Sequence, residues 1–167
     1  MEIINKVAQS GIVSIDLEVF FPSEPIAVFD LKDHLFKGLI LREKDFREAL
    51  AAKDWTQYAN KYLTVDCSAD AIIPHWAYML VAAYAQPFAI EVLMGNTEIA
   101  LKKIYAEKIS KIDPEQYRGQ RIVVKGCSDK PVPADAYLDI TRLLKPVAKS
   151  IMYGEPCSTV PIYKKTN

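Results

Sequence analysis

From residue 61 onward the chain alternates between short β-branched runs and helical segments, and that alternation narrows the fold more than any other feature. The runs "YLTVDC" (62–67), "IEVLMG" (90–95), "RIVVKGC" (121–127) and "KSIMYG" (149–154) read as strands. Between the first two lies "PHWAYMLVAAYAQ" (74–86), a helix so apolar that full burial is expected, with Pro74 in its first turn and Pro87 as its stop. A second helix starts at Asn96 or Thr97 with Leu101, Ile104, Tyr105 and Ile112 on one side. The third, "PADAYLDITRLLK" (133–145), turns Tyr137, Ile140 and Leu144 inward. Strands that alternate with helices imply right-handed crossovers and a parallel sheet. The expected fold is therefore a single α/β domain of three layers with a mostly parallel sheet, flavodoxin-like or Rossmann-like.

Residues 1–60 read as a mixed α/β extension to a βαβαβαβ core at 61–167. "GIVSIDLEVF" (11–20) suits a strand, followed by a loop through Pro22 and Pro25. Asp30 can cap a short helix that runs to Phe36 and ends at Gly38. "DFREALAAK", from Asp45, places Phe46, Ala49 and Leu50 on one helical face.

The 167 residues suffice for one well-formed core, and the 21 basic side chains balance 21 acidic ones. A formal charge of zero offers no long-range attraction to a polyanion, so neither nucleic acid nor an anionic membrane is expected as a partner. The apolar stretches are far shorter than a bilayer span, and "MEIINKVAQSG" has no export-signal pattern; a cytoplasmic location is expected. The exposed-looking "FFPSEP" would serve self-association, leaving a homo-oligomer as an expectation. The small-molecule substrate is not specified by any motif.

All three cysteines stand in a Cys-Ser pair: Cys67, Cys127 and Cys157. Cytosolic thiols are kept reduced, and an odd number cannot all pair. Cys127 follows Cys67 by 60 residues and Cys157 follows Cys127 by 30, which one strand-helix unit per 30 residues explains. The units share no other similarity in sequence, so the period reads as architecture and not as duplication. Each thiol falls at or just past the carboxyl end of a strand, the edge where open α/β sheets bind ligands. In a flavodoxin-like order the three strands would be neighbours, ~4.8 Å apart. Three thiols so placed suit zinc, which takes thiolate sulfur at ~2.3 Å and usually four ligands. His75, at the start of the helix after the Cys67 loop, is the fourth candidate, with Asp70 behind it. The serines would donate hydrogen bonds to thiolate sulfur. Taken singly, each cysteine also reads as a small buried hydrophobe, and His75 as a structural residue beside Trp76. His34 is assigned no role.

No Gly-x-Gly-x-x-Gly, P-loop or C-x-x-C motif is present, which removes support for dinucleotide binding, nucleotide phosphate binding and thioredoxin-like exchange. Besides zinc, an iron–sulfur cluster with one open iron fits three cysteines. A reactive-thiol enzyme would use Cys127, close to Lys125 and Lys130. In a structural or adaptor protein the cysteines would merely pack.

The segments "YLTVDCSADAIIP", "VVKGCSDKPVP" and "AKSIMYGEPCSTVP" resemble signature stretches of a bacterial family catalogued as a domain of unknown function, and the resemblance extends to "MEIINKVAQSG" and "KGLILREKDFR". It implies a small cytoplasmic protein without an established activity, so no catalytic residue carries over. An association of that family with iron–sulfur assembly genes keeps the cluster among the expected ligands.

Overall fold

The computed structural model describes residues 4–7, 11–126, 129–155 and 158–167. It is a mixed α/β chain. Its strands are β1 (Ile4–Val7), β2 (Ile12–Asp16), β3 (Ile26–Asp30), β4 (Leu35–Phe36), β5 (Ile40–Leu41), β6 (Tyr62–Asp66), β7 (Glu91–Met94), β8 (Arg121–Lys125), β9 (Ser150–Glu155) and β10 (Ser158–Lys164). The helices are α1 (Glu43–Ala52), α2 (His75–Ala85), α3 (Thr97–Ser110) and α4 (Ala134–Leu144). The four core strands and their helices thus fall where the apolar runs put them.

The strand partners differ from expectation. Instead of one sheet there are two of size, in the orders β1-β2-β8-β9-β10 and β3-β6-β7, beside the small β4-β5 pair. Each large sheet takes a parallel strand from the first thirty residues: β2 pairs with β8 and β3 with β6. The N-terminal segment is therefore integral to both sheets. Contacts group the chain into two compact units, a central one of residues 22–101 and a terminal one of residues 1–21 with 102–167.

The two units repeat one local architecture. In the central unit Ile26 of β3 lies beside Tyr62 of β6, and Tyr62 beside Glu91 of β7, all parallel. In the terminal unit Ile12 of β2 lies beside Arg121 of β8, and Arg121 beside Ser150 of β9, again parallel. Tyr62 to Arg121 and Glu91 to Ser150 are both steps of 59 residues. The same step links Asp54 to Asp113, each of which caps a 3-10 helix by accepting from the amide two residues on. It links Asn60 to Gly119, both with positive φ, and Gly95 to Gly154. It also links the buried Ala77, Val81 and Ala85 of α2 to Ala136, Ile140 and Leu144 of α4. Even the bonds that close the helix-strand loops repeat: Ile90 N donates to Lys61 O at 2.9 Å, and Lys149 N to Gln120 O at 2.8 Å. The expectation of a merely architectural period is corrected here. The likeness resides in caps, turn residues and buried positions, where physics constrains residue type.

Equivalent aromatic contacts hold the two cores. In the central unit His34 meets Phe46 edge-on, with centroids 5.3 Å apart at 70°, and stacks on Phe29 at 5.1 Å. Burial, then the Lys53 charge, lower the His34 pKa against the pull of Asp33. In the terminal unit Phe20 meets Tyr105 at 6.4 Å and again 70°. Tyr105 is the 59-residue counterpart of Phe46, so its hydroxyl is an addition to a shared ring position. That hydroxyl is buried without a hydrogen-bond partner among the described residues. Burial, followed by the Glu18 and Asp16 charges, pushes its pKa up to about 12. Tyr105→Phe deletes an unsatisfied polar group while keeping the ring, and is expected to raise stability by about 1 kcal/mol in urea denaturation. Unchanged or lower stability would show that the hydroxyl is satisfied in solution.

The apolar α2 is buried on one face only, through Ala77, Val81 and Ala85, whereas Met79 is 71% exposed. The full burial expected for this helix is not found: β6, α1 and the 3-10 turn Trp55–Tyr58 pack on it, and Met79 is left outside those contacts. No helix among the described residues is long and apolar enough to cross a membrane.

Candidate functional site

In each unit an aspartate ends a parallel strand at the carboxyl edge, and the loop following the neighbouring strand is bonded there, to the aspartate itself in the central unit and to Glu18 in the terminal one. In the central unit Asp30 ends β3 and Ser68 follows β6. Asp30 Oδ1 accepts from Ser68 N at 3.0 Å and from Lys32 N at 2.9 Å, and Oδ2 accepts from the Ser68 hydroxyl at 2.5 Å. Burial would raise the Asp30 carboxyl, but the Ser68 hydroxyl and amide, with the Lys32 amide and charge, outweigh it and hold the group below its ordinary value.

Cys67 sits one residue past β6, half-buried, and its thiol donates to Ala69 O at 3.5 Å. The Tyr78 phenol faces this end of the strand; burial raises its pKa, and the nearby Cys67 and Asp66 raise it further. Ser68 directs both donors to Asp30, not to a thiolate. His75 is the first residue of α2 and is exposed, as is Asp70.

The terminal unit builds the same edge with different residues. Asp16 ends β2 and accepts from Glu18 N at 3.0 Å, and Glu18 Oε1 accepts from Asp129 N at 2.9 Å, tying the turn after β2 to the loop after β8. The 59-residue step matches Cys67 with Gly126 and Tyr78 with Tyr137. A Cβ on Gly126 would stand 2.9 Å from Tyr137 Oη and 3.2 Å from Leu17 Cβ, so the terminal unit has no room for a side chain where the central unit holds Cys67. The same step matches Ser68 with Cys127, so the Cys-Ser pairs are one residue out of register between the units.

The route by which three thiols were expected to converge is lost. β6, which precedes Cys67, pairs with β3 and β7, whereas β8 and β9 belong to the other large sheet. Cys127 and Cys157 lie outside the described residues. Among the described residues no three His, Cys, Asp or Glu side chains gather as a metal site, so Cys67, His75 and Asp70 form none. Sequence reasoning named Asp30 only as a helix cap, which it is, and missed Asp16. Their signal was present as the repeated strand-Asp-Leu pattern in "SIDLEVF" and "VFDLKDHLF".

No curated protein and no solved structure matches the chain. A family model described as "Protein of unknown function (DUF2480)" matches residues 1–165, nearly the whole length. The chain thus belongs to the DUF2480 family of proteins of unknown function.

Proposed function

We propose that the chain binds zinc at the carboxyl edge of the terminal unit through Asp16, Cys127 and Cys157. The observation that supports this reading is strand order. β2, β8 and β9 are consecutive parallel neighbours; Asp16 ends the first, and Cys127 and Cys157 follow the ends of the other two by two residues each in sequence. This is the three-neighbour arrangement expected for a metal, with Asp16 in the place assigned to Cys67. The repeat supports it as well: position 127 corresponds to Ser68, whose side chain in the central unit reaches the aspartate that corresponds to Asp16. Two thiolates and one carboxylate leave the fourth position of a tetrahedral zinc to water, the arrangement of catalytic zinc, which would act as a Lewis acid in hydrolysis.

Metal analysis of the purified full chain tests the reading. The wild type should carry ~1 equivalent of zinc, Cys127→Ser and Cys157→Ser should each fall below ~0.2, and Asp16→Asn should bind at least ~10-fold more weakly. Cys67→Ser and His75→Ala should keep the metal. A wild type below ~0.2 equivalents, or equal loss in Cys67→Ser, overturns the assignment. A brown protein after anaerobic purification would replace zinc with an iron–sulfur cluster.

A further inference from the structure

The repeat shows what one unit fills and the other leaves open. In the central unit Trp55 is buried; Tyr84 of α2 stacks on it at 5.5 Å and 22°, and its Nε1 donates to Leu50 O at 2.8 Å. The 59-residue counterparts of Trp55, Tyr84 and Leu50 are Pro114, Leu143 and Ile109, so the terminal unit lacks both rings. There an open cleft of about 400 Å³ is lined by Ala106, Ile109 and Ser110 of α3 and by Asp139, Arg142 and Leu143 of α4. That volume lies at the low end of small-molecule sites. All six residues belong to the terminal unit. Arg142 donates to Asp139 Oδ1 through a single contact of 3.3 Å, and neither side chain has another polar partner among the described residues.

We propose that this cleft binds a free aromatic α-amino acid, its ring taking the space that Tyr84 and Trp55 fill in the central unit and its headgroup meeting Asp139 and Arg142. Three observations select that ligand. The missing side chains are rings, and the lining that remains beside them, Ala106, Ile109 and Leu143, is apolar. The polar part of the lining carries both signs. An ammonium suits Asp139 and a carboxylate suits Arg142, each as a charge-assisted hydrogen bond, whereas a ligand of one charge would face a like charge as well. The pair also accompanies the cleft. At the counterparts of Asp139 and Arg142 the central unit has Leu80 and Ala83, so the unit whose rings occupy the space carries no such pair there.

Titration calorimetry of the full chain with L-phenylalanine reads this directly. The wild type should bind it with a Kd below ~1 mM. The analogues 2-phenylethylamine, without the carboxylate, and 3-phenylpropionate, without the amine, should bind at least ~10-fold more weakly, and so should L-alanine, which keeps the headgroup and lacks the ring. Asp139→Asn and Arg142→Gln should each weaken L-phenylalanine at least ~10-fold with circular dichroism unchanged. Leu143→Tyr, which returns the ring that Tyr84 supplies in the central unit, should abolish binding without loss of stability. No binding of L-phenylalanine, L-tyrosine or L-tryptophan at about 10 mM overturns the proposal. So does equal binding of either one-charge analogue, and so does full binding by Leu143→Tyr, which would place the site elsewhere. The proposal is independent of the zinc reading: Cys127→Ser should lose metal and still bind L-phenylalanine.

Discussion

Phe46→Ala is expected to cost about 3–5 kcal/mol of folding stability, the range for truncating a fully buried aromatic ring. Phe46 is 1% exposed and lies in the central core with Leu31, Leu41 and Leu50. Its ring meets His34 edge-on and packs at 6.3 Å against Trp76. Truncation removes the transfer energy of the ring and leaves a void walled by two aromatic groups, which cannot collapse without losing their own stacking. Trp55 fixes part of that wall: it stacks on Phe29 and donates from Nε1 to Leu50 O at 2.8 Å. Urea denaturation gives the total, and amide exchange gives the place. Protection should fall most within residues 22–101, because the ring belongs to that unit. A loss below about 1 kcal/mol would mean that the site refills, and that the central core is less rigid than its aromatic contacts indicate.

The sequence made the elements legible but not their partners. Strands and helices after residue 61 were readable because a β-branched run followed by a 3.6-residue period is a local signal. Which strand lies beside which is decided by long-range pairing, and there the reading went astray. β6 takes as its neighbour β3, 36 residues upstream at the paired positions Ile26 and Tyr62. No local pattern announces that choice. Strands β1, β3 and β10 were also missed: β1 is only four residues long, β3 lies between the proline loop and the Asp30 cap, and β10 contains Pro161. The repeat was hidden for a different reason. Its conserved features are a capping aspartate, a positive-φ residue and small buried side chains, each satisfiable by more than one residue type. Asn60 and Gly119 do one job with two identities.

The same distinction separates the parts of the candidate site. That the cysteines fall near carboxyl strand ends was legible from spacing alone, and the ends of β6, β8 and β9 lie where that spacing put them. That Cys67 belongs with the other two was inferred from an assumed single sheet, and strand order removes the inference. The Cys-Ser dipeptide proved a weaker guide than the aspartates. Ser68 serves Asp30, and the one-residue shift between Cys67 and Cys127 means that the dipeptides do not occupy equivalent places. The exposure of α2 was hidden as well, since an apolar helix signals something to cover it and not whether that cover comes from its own chain.

Gly95→Ala and Gly154→Ala are each expected to destabilise the chain by about 2–3 kcal/mol, from left-handed strain joined to a steric clash. The two glycines are repeat counterparts, φ +117° after β7 and φ +101° within β9. A Cβ on Gly154 would stand 2.9 Å from the Ser158 carbonyl oxygen, and that oxygen belongs to the backbone of β10, which cannot move without breaking its pairing with β9. A Cβ on Gly95 would stand 2.8 Å from Ile99 Cγ2. That neighbour is a side chain, and it can turn at the cost of a poorer rotamer. Gly154→Ala should therefore be the costlier of the two by urea denaturation, and its loss should include slower recovery of β9–β10 amide protection. Gly95 N also donates to Val65 O at 2.9 Å, and the buried Thr64 hydroxyl donates to Gly95 O, so displacement of Gly95 is resisted from β6. If the order is reversed, with Gly95→Ala the more damaging, the hold of β6 on Gly95 outweighs the rigidity of β10. If both cost less than about 0.5 kcal/mol, the positive-φ turn that ends the third parallel strand of each unit is not under the constraint its geometry implies.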